Sequence, residues 1–351
     1  MTAYRKHHPK TCTQRLTLPR REGGRGLIDV QNLHNNLIIK LRKYFHFKAE
    51  QTDIHNFVSQ IDKNFTPLNL QDKNLKSNII SKEQKIHMWT QKSLHGRHRA
   101  DLGQAHVDEE ASNMWLSRGE LFPETEAFAI AIQDQVIATR NYQKHIIHMP
   151  NLPTDLCRRC LSSSETIQHI TGACKSLAQT DYKHRHDQIA AIVHQNLAHQ
   201  YKFIANKTAY YKYQPSTVLD NKDYKIYWDR TIMTDKTIHY NRPDITVMDK
   251  NNKTVFIIDI AACNTHNLLN THTEKMAKYI DLATEIKRQW AIDTVKIVPI
   301  VISSTGVIPK TLQSNLNTLK MPKNTLALIQ KAVILNTCRI TRKFLNSPAS
   351  S

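Results

Sequence analysis

The sequence lacks any apolar run near the roughly 20 residues that a membrane-crossing helix needs. Its first ten residues, MTAYRKHHPK, also lack the apolar centre of a signal peptide. No long low-complexity tract is present, and 40% of the residues are hydrophobic, which excludes a disordered chain. We therefore predict a soluble intracellular protein of two or three compact domains, with no membrane partner.

Acidic residues are scarce, and they are scarcest near both ends. Lys and Arg number 49 against 30 Asp and Glu, a net charge of +19. Residues 1–48 contain eleven Lys or Arg with only Glu22 and Asp29, and residues 294–351 contain eight with no acid. Such an excess favours a polyanionic partner, with nucleic acid ahead of an anionic membrane surface. The alternative, a basic protein tuned for solubility, does not explain the clustering.

Helical periodicity predicts three helices before the last third of the chain. One runs from Asp29 to about Phe47, and another covers about residues 182–200. A third begins at Pro123 and continues to about His148, because proline and acids suit a first helical turn. Apolar residues recur at helical spacing in two of these helices: Leu33, Leu37, Leu41 and Tyr44 in the first, and Phe128, Ile132, Val136 and Ile146 in the third.

Cysteine is also infrequent, with six in the chain, and the spacing does not suggest a disulfide framework. Three of the six lie within 18 residues, and with one histidine they form C-x2-C-x8-H-x4-C: Cys157, Cys160, His169 and Cys174. Four such ligands suit a tetrahedral, structural Zn²⁺ with no open position for water. The alternative is a set of small core residues beside a surface histidine. Arg158 and Arg159 lie in the turn, where they could reach phosphate.

Residues 242–261 predict a β-hairpin around Asn251-Asn252, because asparagine tolerates the left-handed conformation of a tight turn. A two-residue loop there pairs positions whose numbers sum to 503. In that register Asp244 faces Asp259, with Cβ atoms about 5 Å apart. Two carboxylates placed opposite one another repel, and a shared Mg²⁺ would compensate. The alternative is an ordinary hairpin with exposed acids.

A helix from Thr273 to Trp290 and a strand from Val295 to Ile302 are predicted to follow. A strand, helix, strand crossover places the two strands parallel in one sheet. Tyr279 belongs to the apolar stripe of this helix, and Lys275 lies one turn before it, so Lys275 is expected to point at the sheet. A carboxylate pair with an adjacent lysine suits metal-assisted phosphodiester hydrolysis.

Four pieces of the sequence occur in an order that resembles the C-terminal half of LINE-type (non-LTR) retrotransposon polyproteins with a restriction-like endonuclease. They are the C-x2-C-x8-H-x4-C knuckle, Arg185-His186-Asp187, Arg242-Pro243-Asp244-x14-Asp259 and Lys275/Lys278-Tyr279. The segment from His7-His8-Pro9 to Gly26-Leu27 resembles the region after the reverse-transcriptase thumb, and residues 131–137 resemble part of the linker of these elements. No Y/F-x-D-D polymerase motif is present.

The resemblance implies an α+β fold with a helical basic N-terminal part, a zinc knuckle and a PD-(D/E)xK-like αβββαβ nuclease core with a mixed sheet. Asp244 and Asp259 would be the Mg²⁺ ligands. The usual lysine site two residues after the second acid is Ala261 here. Members of the family place this lysine on the next helix, so Lys275 is the first choice and Lys278 the second. Tyr279 and Arg185 would support them.

The implied segments are a post-thumb basic segment (1–48), a helical linker (49–153), the knuckle (154–176), the nuclease (177–310) and a basic helical tail (311–351). The predicted nucleic-acid-binding residues are Arg20, Arg21, Arg25, Lys40, Arg42, Lys43, Arg158 and Arg159.

The predicted function is Mg²⁺-dependent nicking of DNA in target-primed reverse transcription, by a nuclear fragment that lacks the polymerase. Its partners would be target DNA and element RNA. One alternative is a catalytically inactive, zinc-containing nucleic-acid-binding remnant. Another is an interaction protein with a structural zinc site and no role with nucleic acid. The target sequence, the oligomeric state and the role of residues 48–110 stay open.

Overall fold

A computed structural model of the chain describes residues 6–72 and 78–346. The chain divides into two compact units, one formed by Cys12–Lys92 and one formed by the rest. The five segments proposed from the sequence stay a prediction. Within the described ranges, no helix is both long enough and apolar enough to cross a membrane.

The smaller unit is helical. Its helices are α1 (Gln14–Thr17), α2 (Val30–Ala49), α3 (Asp53–Ile61) and α4 (Lys82–Thr90), with a 3-10 turn at Arg20–Glu22. Asp29 caps α2 by accepting a 3.0 Å hydrogen bond from the Asn32 N–H, which confirms the predicted helix start. In the glycine-rich turn before it, a Cβ on Gly24 would lie 2.1 Å from the Leu18 carbonyl oxygen, so this position requires glycine.

Of the elements in the described residues, the larger unit contains the remaining helices and all the strands. The helices are α5 (His95–Leu102), α6 (Glu109–Asn113), α7 (Trp115–Arg118), α8 (Pro123–Gln133), α9 (Arg140–His145), α10 (Lys175–Leu177), α11 (Lys183–Gln200), α12 (Leu268–Lys278), α13 (Ile280–Gln289), α14 (Lys310–Thr318) and α15 (Thr325–Asn346). The strands are β1 (Val107–Asp108), β2 (Val218–Asp220), β3 (Tyr224–Trp228), β4 (Ile245–Asp249), β5 (Thr254–Cys263), β6 (Thr294–Ser303) and β7 (Ile308–Pro309).

A mixed five-stranded sheet organises this unit, in the order β2-β3-β4-β5-β6. Strands β2 to β5 are antiparallel neighbours, whereas β6 runs parallel to β5. The connection from β5 to β6 passes through α12 and α13, as expected for a parallel pair. The α+β class and the mixed sheet are therefore confirmed, as is the predicted crossover. Strands β1 and β7 form a separate two-stranded ribbon.

The two faces of the sheet carry separate cores, because side chains alternate along a strand. On β5, Ile258 and Ile260 face a core that includes residues of α11, α14 and α15. Val255 and Ile257 face a smaller core with Tyr279, Leu282 and Ile286. The helical C-terminal part is thus a core element rather than an exposed tail: α15 buries thirteen of its residues.

The single helix predicted from Pro123 to about His148 is wrong, because α8 ends at Gln133 and α9 begins at Arg140. Gln135 adopts a left-handed φ of 61°, and the backbone N–H groups of Gln135 and Val136 donate to the carbonyls of Ile132 and Ala131. This is a Schellman closure with glutamine where glycine is usual, so the sequence does not mark the stop. Ile146, predicted on the inner stripe, is 47% exposed.

Candidate functional sites

The four residues of the C-x2-C-x8-H-x4-C motif come together in one cluster, Cys157, Cys160, His169 and Cys174. A turn after Cys157 is closed by hydrogen bonds from the Cys157 N–H to the Ser163 carbonyl (2.8 Å) and from the Leu161 N–H to the Cys157 carbonyl (2.9 Å). His169 begins a π-helical turn, His169–Ala173, and Cys174 follows it directly. The turn and the helical segment therefore bring two ligands each to the same point.

The spacing of the ligand atoms fits a tetrahedral metal ion. All four atoms lie within 4.8 Å of one another. The sulfurs of Cys157 and Cys174 are 3.8 Å apart, and the Cys160 sulfur is 3.3 Å from His169 Nε2. Zn–S bonds of about 2.3 Å place two sulfurs about 3.8 Å apart in a tetrahedron. The cluster can therefore hold a metal such as zinc, with every ligand supplied by protein.

The electrostatics of the cluster also suit a cation. Burial alone would raise the pKa of Cys160, but hydrogen bonds from Ser162, Cys157 and His169 outweigh burial and lower the pKa to about 6. Burial raises the pKa of Cys174 to about 12, with the Cys157 sulfur adding to the effect. A bound divalent cation would stabilise the thiolate form of both groups.

Arg158 supports the knuckle turn. Its guanidinium donates to both carboxylate oxygens of fully buried Glu165, from Nε at 3.0 Å and from Nη2 at 2.8 Å. Its guanidinium carbon also lies 5.5 Å from the centre of the Phe344 ring on α15. This bidentate pairing makes Arg158 a poor candidate for the phosphate contact predicted from the sequence. The same contact by Arg159 stays a prediction.

The hairpin register predicted from the sequence is confirmed, although the turn is longer. Ile245 pairs with Ile258 and Asp249 with Thr254, so paired positions sum to 503 as predicted. The loop has four residues, 250–253, instead of the two predicted. Because the longer loop is centred on the same point, the register is unchanged. The Asp249 carboxylate stabilises the loop by accepting a hydrogen bond from the Asn252 N–H at 2.9 Å.

Asp244 lies immediately before β4. Its Oδ2 accepts a hydrogen bond from the Ile260 N–H at 2.6 Å, which ties it to the residue after Asp259. His186 Nε2 lies 3.1 Å from the same oxygen. Extending the β4–β5 register by one residue beyond Ile245 and Ile258 would set Asp244 opposite Asp259.

Three predicted residues converge on Asp259, which is 2% exposed. The Tyr279 hydroxyl donates to Oδ1 at 2.6 Å, and Lys278 Nζ lies 3.7 Å from the same oxygen. Lys275 Nζ forms an ion pair with Oδ2. Lys275 therefore points at the sheet, as its position one turn before Tyr279 predicted.

The helix that carries these residues differs from the prediction. The sequence predicts one helix from Thr273 to Trp290. The structure has two helices instead: α12 starts earlier, at Leu268, and the helix is interrupted between α12 and α13. The break falls at Tyr279, whose φ and ψ are −110° and 12° and whose ring is fully buried. Lys278 and Tyr279 both reach Asp259 although they are adjacent in sequence.

Arg185 does not contact either aspartate. It is 1% exposed, and its guanidinium donates to the carbonyls of Thr171 (2.8 Å) and Ala262 (3.3 Å) and to the Thr337 hydroxyl (3.0 Å). Burial lowers the pKa of this guanidinium to about 10. Arg185 therefore connects the segment that follows His169 to β5 and α15. It supports the fold around the site without contacting the carboxylates.

The neighbour of Arg185, His186, is a site residue that the sequence reasoning missed. Burial alone would lower its pKa, but its hydrogen bonds and charge interactions with Asp187 and Asp244 outweigh burial and raise the pKa to about 9. Burial alone would likewise raise the pKa of Asp244, but the hydrogen bond and charge of His186 lower it. The feature of the sequence that could have identified His186 is the Arg185-His186-Asp187 triplet, because it lies in the first turn of α11.

Positive side chains compensate the aspartate pair: His186 for Asp244, and Lys275 with Lys278 for Asp259. Of the residues that the structure describes, only the knuckle cluster brings together three or more His, Cys, Asp or Glu ligand atoms at metal-binding distance. Mg²⁺ needs just one or two carboxylates when water and phosphate supply the rest. The carboxylates thus satisfy the minimum for Mg²⁺, and its binding there stays a proposal.

The predicted nucleic-acid-binding residues of the smaller unit differ in exposure. Arg21, Lys40 and Lys43 are exposed. Arg42 is 7% exposed, and its guanidinium donates to the carbonyls of Leu68, Asn69 and Asp72. Arg25 is 5% exposed. Arg25 and Arg42 are therefore poorly placed to contact phosphate. Nucleic-acid binding by the exposed residues and by half-buried Arg20 stays a prediction.

Comparison with protein-family models finds no match to this chain, and comparison with curated proteins finds none either. The functional argument therefore depends on the geometry of the two sites.

Proposed function

We propose that this chain is a nucleic-acid-binding, Mg²⁺-dependent DNA-nicking endonuclease with a structural zinc site, from the C-terminal part of a LINE-type retrotransposon polyprotein. The observation that carries the proposal is the convergence of Lys275, Lys278 and Tyr279 on Asp259, with Asp244 beside it. The order α11, β3, β4, β5, α12–α13, β6 supports an αβββαβ nuclease core. A chromosomal target would make the protein nuclear, with element RNA as its second partner.

Asp244 and Asp259 are the residues that would hold Mg²⁺. When bound, the ion would lower the pKa of a water that attacks the scissile phosphorus. The water oxygen forms a bond to phosphorus as the bond from phosphorus to the 3′ oxygen breaks, which leaves a 5′-phosphate and a 3′-hydroxyl. In the retrotransposon family this freed 3′ end primes reverse transcription.

The chain's own residues position the carboxylates and balance the charge. Tyr279 holds Asp259 through its hydroxyl, and His186 holds Asp244. Lys275 and Lys278 are 23% and 29% exposed, so their ammonium groups can meet a phosphate that approaches Asp259. Fixed positive charge at a phosphorane stabilises the transition state without reorganisation.

The test is nicking of supercoiled plasmid by zinc-loaded protein with Mg²⁺. We expect nicking by the wild type and a loss of at least about 100-fold in Asp244→Ala, because one of two carboxylate ligands is removed. Asp293→Asn is the matched control, since this acid is exposed and outside the site. A wild-type protein that binds plasmid and leaves it intact would contradict the nuclease proposal.

A second candidate, an inactive nucleic-acid-binding remnant, is favoured by two features. Lys275 already pairs with Asp259, and the usual lysine site of the nuclease motif is Ala261. This candidate predicts tight, salt-sensitive DNA binding that is equal in the wild type and Asp244→Ala, with no cleavage by either.

A further inference from the structure

The connection between β3 and β4, residues 229–244, is a closed loop that ends at Asp244. At its base the Asp229 N–H donates to the Asp244 carbonyl at 2.8 Å, and the Arg242 guanidinium donates to both Asp229 carboxylate oxygens at 2.8 Å. Buried Ile232 anchors the loop, and its N–H donates to the Asn241 carbonyl at 2.8 Å. These contacts hold the loop in one position relative to the carboxylate site.

The returning half of this loop exposes an aromatic ring close to Lys278. Tyr240 is 48% exposed, and the edge contact of its ring with His239, at 4.5 Å between centroids, orients it. Lys278 Nζ lies 5.4 Å from the centre of the Tyr240 ring. About half of Tyr240 is thus open to solvent, and an ammonium group lies close to its ring.

The same ammonium group links the ring to the carboxylates. Lys278 Nζ is 3.7 Å from Asp259 Oδ1, so the ring and the carboxylate flank a single positive charge. Isolated exposed aromatics are common on proteins and need no explanation. Tyr240 differs because its ring, a lysine and a paired carboxylate site fall within the reach of one nucleotide. A base on the ring would place its own phosphate at Lys278.

We propose that Tyr240 is a base-stacking residue that holds an unpaired nucleobase next to the scissile phosphate. Aromatic rings in single-strand-binding proteins act in this way, and they tolerate any base because every base has a π-face. A base within a duplex is already stacked on both sides, so the site selects frayed, flipped or single-stranded nucleic acid. The proposal places the substrate in the site of the proposed nuclease, but stacking itself does not require cleavage.

The experiment measures the binding of single-stranded oligonucleotides that contain 2-aminopurine to zinc-loaded protein in the absence of Mg²⁺. Stacking quenches the fluorescence of this base, and titration gives the affinity. We expect Tyr240→Ala to bind about tenfold more weakly and to lose the quenching. Tyr240→Phe keeps the ring and is expected to retain both. Tyr211→Ala is the matched control, because Tyr211 is 65% exposed and its ring contacts Tyr210.

Parallel titrations with DNA and RNA of the same sequence identify which strand supplies the base. Quenching and the Tyr240→Ala loss in either nucleic acid support the proposal, and the larger loss names the preferred strand. Equal affinity and equal quenching for the wild type and Tyr240→Ala, in both nucleic acids, would overturn it.

The outcome is separate from that of the nuclease proposal. If wild-type protein fails to nick plasmid but Tyr240→Ala still loses quenching, the nuclease proposal fails and base stacking stands. If nicking depends on Asp244 and Tyr240→Ala behaves as the wild type, the nuclease stands and base stacking fails.

Discussion

The cysteine cluster and the aspartate pair lie on either side of the short segment from Cys174 to His186, and they balance charge in different ways. In the cluster, three thiols and an imidazole face one another, and Arg158, which lies in the turn between Cys157 and Cys160, pairs with buried Glu165. At the aspartate pair, His186, Lys275 and Lys278 already neutralise the carboxylates.

The two sites therefore need different things from solution. The cluster is complete in protein ligands and needs a cation to compensate its thiolates, so its metal would be structural. The aspartate pair has cationic side chains of the protein as partners, and these side chains are partly exposed, so they can meet a phosphate. Tyr182 and Arg185 connect the sites: the Tyr182 hydroxyl donates to the Ile170 carbonyl at 2.8 Å, and Arg185 reaches Ala262 on β5.

The largest expected effect comes from removing a cluster ligand. Cys174→Ser should lose the metal and more than about 4 kcal/mol of unfolding free energy, because structural zinc supplies folding energy directly. The measurement is zinc content together with urea unfolding. Cys338→Ala is the matched control, since Cys338 is equally buried but outside the cluster, and it should keep its zinc. Purified wild-type protein whose unfolding midpoint is unchanged by a chelator would break the comparison.

His194 supplies the case of a buried group with no compensating charge. It lies on α11 two turns beyond His186, and it faces the Tyr213 hydroxyl at 2.8 Å and the Trp228 ring. Burial lowers its pKa to about 4. Between pH 4 and the ordinary value near 6.5 the unfolded chain therefore binds more protons than the folded protein.

The resulting stability is fully present above pH 6.5 and is lost as the pH falls toward 4. We expect neutral His194 to contribute about 3 kcal/mol to the free energy of unfolding, which urea titrations between pH 4 and pH 6.5 would measure. His194→Gln should lack this part of the pH dependence, while any acid-induced loss of zinc is common to both proteins. Parallel pH curves for the two proteins would contradict the assignment.

The smallest expected effect tests whether Lys275 and Mg²⁺ compete for Asp259. Lys275→Met should cost about 1–2 kcal/mol, less than the loss of a fully buried ion pair, because Lys275 is 23% exposed and Lys278 and Tyr279 still contact Asp259. Added Mg²⁺ should then raise the unfolding midpoint of this variant more than that of the wild type. Lys287→Met, an exposed lysine on α13, serves as the control. A variant that responds to Mg²⁺ no more than the wild type would argue against a cation site at the aspartates.

Much of the aspartate site could be predicted because it depends on local periodicity. Pairing in a hairpin is arithmetic once its centre is known, and Asp244 and Asp259 follow from that centre even though the loop is longer than predicted. The inward direction of Lys275 follows from the helical repeat. The cysteine cluster could be predicted as well, because C-x2-C places two metal ligands in one turn.

The errors arose where tertiary contacts override local preference. The stop after Gln133 uses a left-handed glutamine, and the break at Tyr279 follows from burying its ring and hydroxyl against Asp259. The sequence predicts that Arg42 and Arg158 bind nucleic acid, yet the Arg42 guanidinium donates to backbone carbonyls between Leu68 and Asp72, and the Arg158 guanidinium pairs with buried Glu165. The presence of an arginine in the sequence does not indicate whether its side chain is exposed to nucleic acid or forms a buried structural contact.

The ligand spacing of the cluster, the hairpin register and the crossover that makes the sheet mixed could be predicted from the amino-acid sequence, because each depends on short-range geometry along the chain. Three contacts could not: His186 with Asp244, Arg185 with the backbone beside the carboxylates, and Tyr240 with Lys278. These contacts join segments tens of residues apart, and packing of the two cores against the sheet is what brings them together.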